Sequence, residues 1–347
     1  MNIYLKISIK LISLLLLLLL VNQVYKITFW PKDISKHADV LENLWNVPAD
    51  AEAIYFGESS NFHVPEGDTV KHRISEILDS MLTDTKLATV DNAGLHAGTY
   101  KALMNNLPKS MHLKFVIITM NYRSFGAAWR YADFENYLAK TSLMLEPCLP
   151  VVNKFRVSLR DYDNQTSEYR LQQIRDTWRN ETFEVPGLPY NNVIAWDSAM
   201  AWGAFKASNA LLNDTTIPLA CHYIKNFAFT LDTNHNQRIK DFDELVEIAR
   251  KRNIRVVFYL LSENMQQANS LVGTMLSSMM ENNCQVLTKR YTRKGAVVIN
   301  NLYVVPDSCF VDRNWPTEHY NLAGKERIAR ALANGLQREG LVNVPLY

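Results

Sequence analysis

Tyr55-Phe56-Gly57-Glu58-Ser59-Ser60-Asn61 completes an apolar run that starts at Ala53, and its reading decides the fold. Apolar, β-prone residues, a glycine that permits a tight backbone path and then a serine describe a buried strand ending in a sharp turn. Two further segments occupy equivalent slots. Thr119-Met120-Asn121-Tyr122-Arg123 closes a second apolar run, and Glu318-His319-Tyr320-Asn321-Leu322-Ala323-Gly324 opens an amphipathic helix. A serine, an amide side chain and a histidine then emerge at one edge of a sheet. Serine-based acyl chemistry requires those parts: a nucleophile, a donor for the developing oxyanion, and a base.

Working outward, strand-like runs fall at 53–56, 87–90, 113–119, 254–261 and 297–305, mostly apolar on both faces as buried parallel strands are. Helical spacing alternates with them. Val70, Ile74, Ile77, Leu78 and Met81 keep it after the first strand, Phe242, Leu245, Val246 and Ala249 before the fourth, and Leu322, Ile328, Leu332 and Leu336 at the end. Such alternation predicts an α/β protein, a three-layer α/β/α arrangement around a central parallel sheet, whose ligands sit beyond the carboxyl ends of the strands. From about 124 to 229 the alternation stops. That stretch carries Trp129, Tyr131, Phe134, Tyr137, Trp178, Tyr190, Trp196, Trp202 and Phe205, and reads as a mostly helical insertion with loops around 147–150 and 186–189. Its aromatic residues either pack a second small core or form a lid or side wall for substrate.

The amino terminus differs from the rest. Lys6 and Lys10 precede an unbroken apolar run from Leu14 through Val21, and residues 3–24 are long enough to span a bilayer if Lys6 reaches the headgroups. No small-x-small cleavage site follows, which favours an uncleaved anchor over a removed signal peptide. The expected organisation is an anchor or signal segment over 1–29 and one domain over 30–347, with 124–229 inserted. Lysines flank the span on both sides, so the charge rule only weakly keeps the amino end in the cytoplasm and exports the domain.

A formal net charge of +2 with mixed signs along 347 residues gives no footprint for nucleic acid. Cys148, Cys221, Cys284 and Cys309 allow two disulfides or four buried thiols, and no Cys/His cluster has zinc spacing, so neither cofactor nor metal is expected. Asn164, Asn180 and Asn213 head glycosylation acceptor triplets. Asp232-Thr233-Asn234-His235-Asn236 has the beginning of a calcium loop. However, Gln237 replaces the glycine of the sharp turn and Asp243 stands where a bidentate glutamate is needed, so a loop capping the next helix is the better reading. Ser262-Glu263-Asn264 after the fourth strand reaches the same sheet edge, as pocket lining or as a helix cap.

Taken with their positions, these segments resemble the blocks of the SGNH (GDSL-type) hydrolase superfamily across most of the chain after the anchor. Gly57-Glu58-Ser59 is similar to the first block, with its aspartate lengthened to glutamate. Asn92-Ala93-Gly94-Leu95-His96-Ala97-Gly98-Thr99 resembles the second, Asn121 the asparagine of the third, without its usual Gly-x-Asn-Asp context, and His319-Tyr320-Asn321-Leu322-Ala323-Gly324 the fifth. The resemblance implies a flavodoxin-like fold, Ser59 as nucleophile and His319 as base. Gly98 (Gly94 in reserve) and Asn121 would be oxyanion donors. Where the family places an aspartate, three residues before the histidine, this chain has Pro316. Glu318 is the expected substitute and Asp312 the alternative. Adjacent residues of an extended segment point apart, so Glu318 serves only if the backbone turns there.

The resemblance to anchored extracytoplasmic members, such as the teichoic acid D-alanine transfer protein and the alginate O-acetyltransferases, implies a membrane-tethered O-acyltransferase or esterase. Its substrate would be a cell-surface glycan or acylated small molecule, with a membrane-bound acyl donor protein as a candidate partner. A secreted carboxylesterase or lipase, and a non-catalytic glycan-binding scaffold on a decayed hydrolase fold, are the alternatives.

Overall fold

The computed structural model describes residues 3–66, 70–185, 189–201 and 216–344. Trp202, Phe205, Pro186 and the Asn213 acceptor triplet lie outside them. Five strands, β1 (Ala53–Gly57), β2 (Leu87–Asp91), β3 (Phe115–Met120), β4 (Arg255–Leu260) and β5 (Val297–Asn300), form one parallel sheet in the order β2-β1-β3-β4-β5. In-register pairs such as Gly57 with Asp91, Met120 with Leu260, and Leu260 with Asn300 align the carboxyl ends, so every loop leaving them opens on one edge. The fifth strand stops short of the predicted 305. Asn300 Oδ1 accepts the Leu302 N–H at 3.0 Å and turns the chain away.

Alternating side chains send β residues to two helical layers. Ile54, Phe56, Ile118 and Phe258 share a core with helices Ala97–Asn106, Gln237–Lys251 and Thr274–Arg293. Tyr55, Ile117, Val257 and Tyr259 pack against helices Ile74–Met81 and Leu322–Arg338. The fold is therefore the three-layer α/β/α arrangement read from the sequence. The last helix approaches closely because Gly335 has no side chain: a Cβ there would lie 2.5 Å from Ile299 Cδ1. Within the sheet the Tyr55 and Tyr259 hydroxyls bond each other, and Thr119 Oγ1 donates to the Phe56 carbonyl at 3.0 Å, so these buried hydroxyls find partners.

Among the described residues, helices fill the stretch between β3 and β4 and enclose no second core. Leu138, Trp178, Trp196, Tyr223 and Phe227 belong to the same apolar cluster as one face of the sheet. At the amino end, helix Ile3–Thr28 is long and apolar enough to cross a membrane, and its apolar span is uncovered by the rest of the protein. Its final turns dock on the domain. Asn22 Oδ1 accepts the Val151 N–H at 3.1 Å, and the Tyr25 hydroxyl donates to Asp33 at 2.6 Å. All four cysteines are free thiols, Cys148 exposed and the other three buried.

Candidate active site

Ser59 begins a single helical turn, Ser59–Phe62, at the carboxyl end of β1. Gly57 is there because nothing larger fits: a Cβ would lie 2.8 Å from the Tyr55 ring and 3.1 Å from Asn61 Cβ. The turn is held on two sides. Glu58 Oε1 accepts the Ser60 N–H at 2.9 Å and caps it. Fully buried Asn61 donates to Asp91 at 2.6 Å and accepts the Ser75 N–H at 2.9 Å, tying the turn to the end of β2 and to the next helix. Local packing alone thus fixes the serine at the sheet edge.

His319 and Asp312 lie on two extended segments that pair beyond β5. Phe310 bridges Tyr320, the Val311 N–H donates to the His319 carbonyl at 3.1 Å, and the Asn321 N–H to that of Cys309 at 2.9 Å. This pairing sets Asp312 beside His319 across seven residues of chain. His319 Nδ1 lies 2.8 Å from Asp312 Oδ2, and Nε2 lies 3.1 Å from Ser59 Oγ. Thr317 Oγ1 donates to the same Asp312 oxygen at 2.5 Å. Burial pushes the Asp312 carboxyl up, but the bonds from Thr317 and His319 outweigh it and hold it below its ordinary value. An ionised carboxylate at Nδ1 keeps a proton there and leaves Nε2 free to accept one from Ser59. Ser59 Oγ is also 3.1 Å from Glu58 Oε2, so its one proton has two acceptors. Burial, and after it the charge of Glu318, push the Glu58 carboxyl up and weaken that competitor.

Glu318 does not orient the imidazole, which corrects the expectation. The backbone stays extended there, so His319 faces the crevice and Glu318 the interior. Glu318 is 1% exposed, pairs with Arg123 Nη2 and accepts from Asn121 Nδ2 at 3.1 Å. Arg123 also donates to the Pro316 carbonyl at 2.9 Å and lies 4.5 Å over the Trp129 ring. Buried Glu263 completes the cluster: burial first, then the Glu318 charge, push its carboxyl well above the ordinary range and favour its protonated form. The buried Arg123–Glu318 pair lies beneath the site.

The amide positions fare differently. Asn121 stands at the end of β3 with one N–H on Glu318. Gly98 is corrected as an oxyanion donor, because its N–H donates to His96 Nδ1 at 3.1 Å. It lines a separate cavity of about 560 Å³ with His96, Lys101, Glu135 and Arg238, to which Ser59 does not contribute. Gly94 is a left-handed turn residue with φ +70°, next to Phe134. In the calcium-like loop, Asp232 Oδ1 accepts the Asn234 N–H at 2.8 Å and Asn236 caps helix Gln237–Lys251. Asn264, after Glu263, caps helix Met265–Val272.

Sequence reasoning missed His63. Its ring stacks on His319, with centroids 3.9 Å apart and planes 11° from parallel. The available signal was a histidine one helical turn after the candidate nucleophile. His63, Asp312 and His319 offer ligand atoms within 4.8 Å of one another. That set does not fit a metal ion, because lone pairs of parallel rings run side by side instead of converging, and both His319 nitrogens already have partners.

No known protein family matches the chain, and no curated protein does. Among solved structures it is similar to a carbohydrate acetylesterase family member from Sinorhizobium meliloti, at 7% identity and a TM-score of 0.36, over 84% of this chain and 99% of that one. It is also similar to a catalytic mutant of an acetylxylan esterase from Geobacillus stearothermophilus, at 10% identity and a TM-score of 0.36, over 84% and 95%.

Proposed function

We propose that this protein is a membrane-tethered serine esterase or O-acyltransferase of the SGNH type, acting on an acylated cell-surface glycan through an acyl-enzyme at Ser59. The observation that carries the reading is the unbroken chain Ser59 Oγ, His319 and Asp312, with contacts of 3.1 and 2.8 Å. As Ser59 Oγ attacks an ester carbonyl, His319 Nε2 takes its proton and the carbonyl electron pair moves to oxygen. Collapse expels the alcohol, which takes the proton from His319. Water or a glycan hydroxyl then attacks the acyl-serine, His319 accepting its proton and returning it to Ser59. The Ser59 backbone N–H and the second Asn121 side-chain N–H are the proposed oxyanion donors, each worth about 3 kcal/mol. Helix Ile3–Thr28 would be the tether, placing the domain outside the cytoplasm, where a membrane-bound acyl donor protein is the proposed partner.

Turnover of p-nitrophenyl acetate by the full chain in detergent tests this function. Ser59-dependent release of nitrophenol that rises when acetyl-accepting oligosaccharide is added identifies a transferase; release unaffected by the glycan identifies an esterase. No Ser59-dependent release overturns both.

A further inference from the structure

His63 ends the helical turn that carries the nucleophile, and its backbone N–H donates to the Ser59 carbonyl at 2.8 Å. Its side chain lies flat on the base, 3.9 Å between centroids and 11° between planes. The polar partners of His319 meet it at its two ring nitrogens, Ser59 at Nε2 and Asp312 at Nδ1. With the Cβ tether, those contacts leave the ring a tilt out of line that a contact on its face opposes, and His63 supplies such a contact. It also presents an aromatic face where positive charge develops as His319 takes the serine proton. Of the charged and titratable groups that bear on His63, His319 and Lys325 disfavour its protonation and Asp312 favours it. Burial is the largest influence and prevails, holding the His63 ring below its ordinary value and favouring its neutral form.

We propose that His63 is a positioning residue for the reaction at Ser59, its ring clamping His319 in line with Ser59 and Asp312 and shielding the imidazolium that forms. This rests on the acyl-enzyme reading above. A ring set slightly out of line is expensive in a reaction that depends on near-attack geometry.

The test compares p-nitrophenyl acetate turnover by the full chain in detergent as wild type, His63→Ala and His63→Phe. The expected result is a fall in kcat of about tenfold for His63→Ala at unchanged KM, and near-complete rescue by His63→Phe, which keeps the flat face but cannot titrate. NMR of the ring protons adds a readout independent of rate. Those of His319 should be shifted by the neighbouring ring current in wild type and His63→Phe, and not in His63→Ala. Wild-type kcat in His63→Ala, or equal damage in both variants, overturns the proposal while leaving the acyl-enzyme standing. Absence of Ser59-dependent turnover in the wild type overturns the acyl-enzyme, and this proposal with it. Should His63→Ala fail to fold, an unshifted His319 ring in the wild type still rejects the stack.

Discussion

His319 Nδ1 meets Asp312 Oδ2 at 2.8 Å, although Asp312 stands seven positions earlier and an acid, Glu318, stands directly beside the histidine. Extended backbone explains the preference, because neighbours along it point to opposite sides and only a residue from the paired segment can share a face.

The two acids are therefore expected to fail in different ways. Asp312→Asn should lower ester turnover about 10³-fold or more by allowing the wrong imidazole tautomer, with little change in thermal midpoint. Glu318→Gln leaves Arg123 without its partner in the interior and should cost about 3 kcal/mol of stability in urea unfolding. Equal losses of activity and stability in both variants would contradict the assignment.

Glu263 makes stability depend on pH in a stated direction. Its folded-state value lies above its ordinary 4.5, so the native protein keeps a proton that the unfolded chain releases. That contribution is complete below about pH 4.5 and is lost as pH rises through the folded-state value. Glu58, also raised, acts with the same sign. Urea midpoints should fall as pH rises above about 4.5, and Glu263→Gln should flatten the slope. An identical slope in the variant would count against a protonated Glu263.

Gly57→Ala tests the packing that presents the nucleophile. The added methyl meets the buried Tyr55 ring and Asn61 Cβ, neither of which has room to withdraw, so a loss of about 1–3 kcal/mol is expected. Unchanged stability would mean that the turn is looser than its contacts imply.

Helix Ile3–Thr28 should hold the full chain in the membrane fraction through alkaline carbonate extraction, and replacing Leu16 and Leu17 by lysine should release it. Release of the unaltered protein by carbonate would exclude a spanning anchor.

The sheet was legible in the sequence because its strands are apolar on both faces and its helices keep their spacing, and the same pattern placed Ser59 and Asn121 after strands and His319 ahead of the last helix. What stayed hidden depended on contacts between distant segments. The choice of Asp312 over Glu318 follows from the pairing of Phe310 with Tyr320, which no local pattern announces. Gly98 was misread because a glycine near a helix start is equally consistent with a free N–H and with one committed to a side chain, here His96. Nothing in the sequence marks the role of Arg123, since a charged residue two positions past a strand is ordinarily exposed and this one is buried against Glu318.

The most direct measurement is labelling of the purified full chain with a fluorophosphonate probe, the modified residue being located by peptide mass spectrometry. The account predicts a single adduct on Ser59, lost in Ser59→Ala and slowed at least 10³-fold in His319→Ala, with both variants folded. A folded wild-type protein that takes no label at Ser59, or a His319→Ala variant that labels at the wild-type rate, contradicts it.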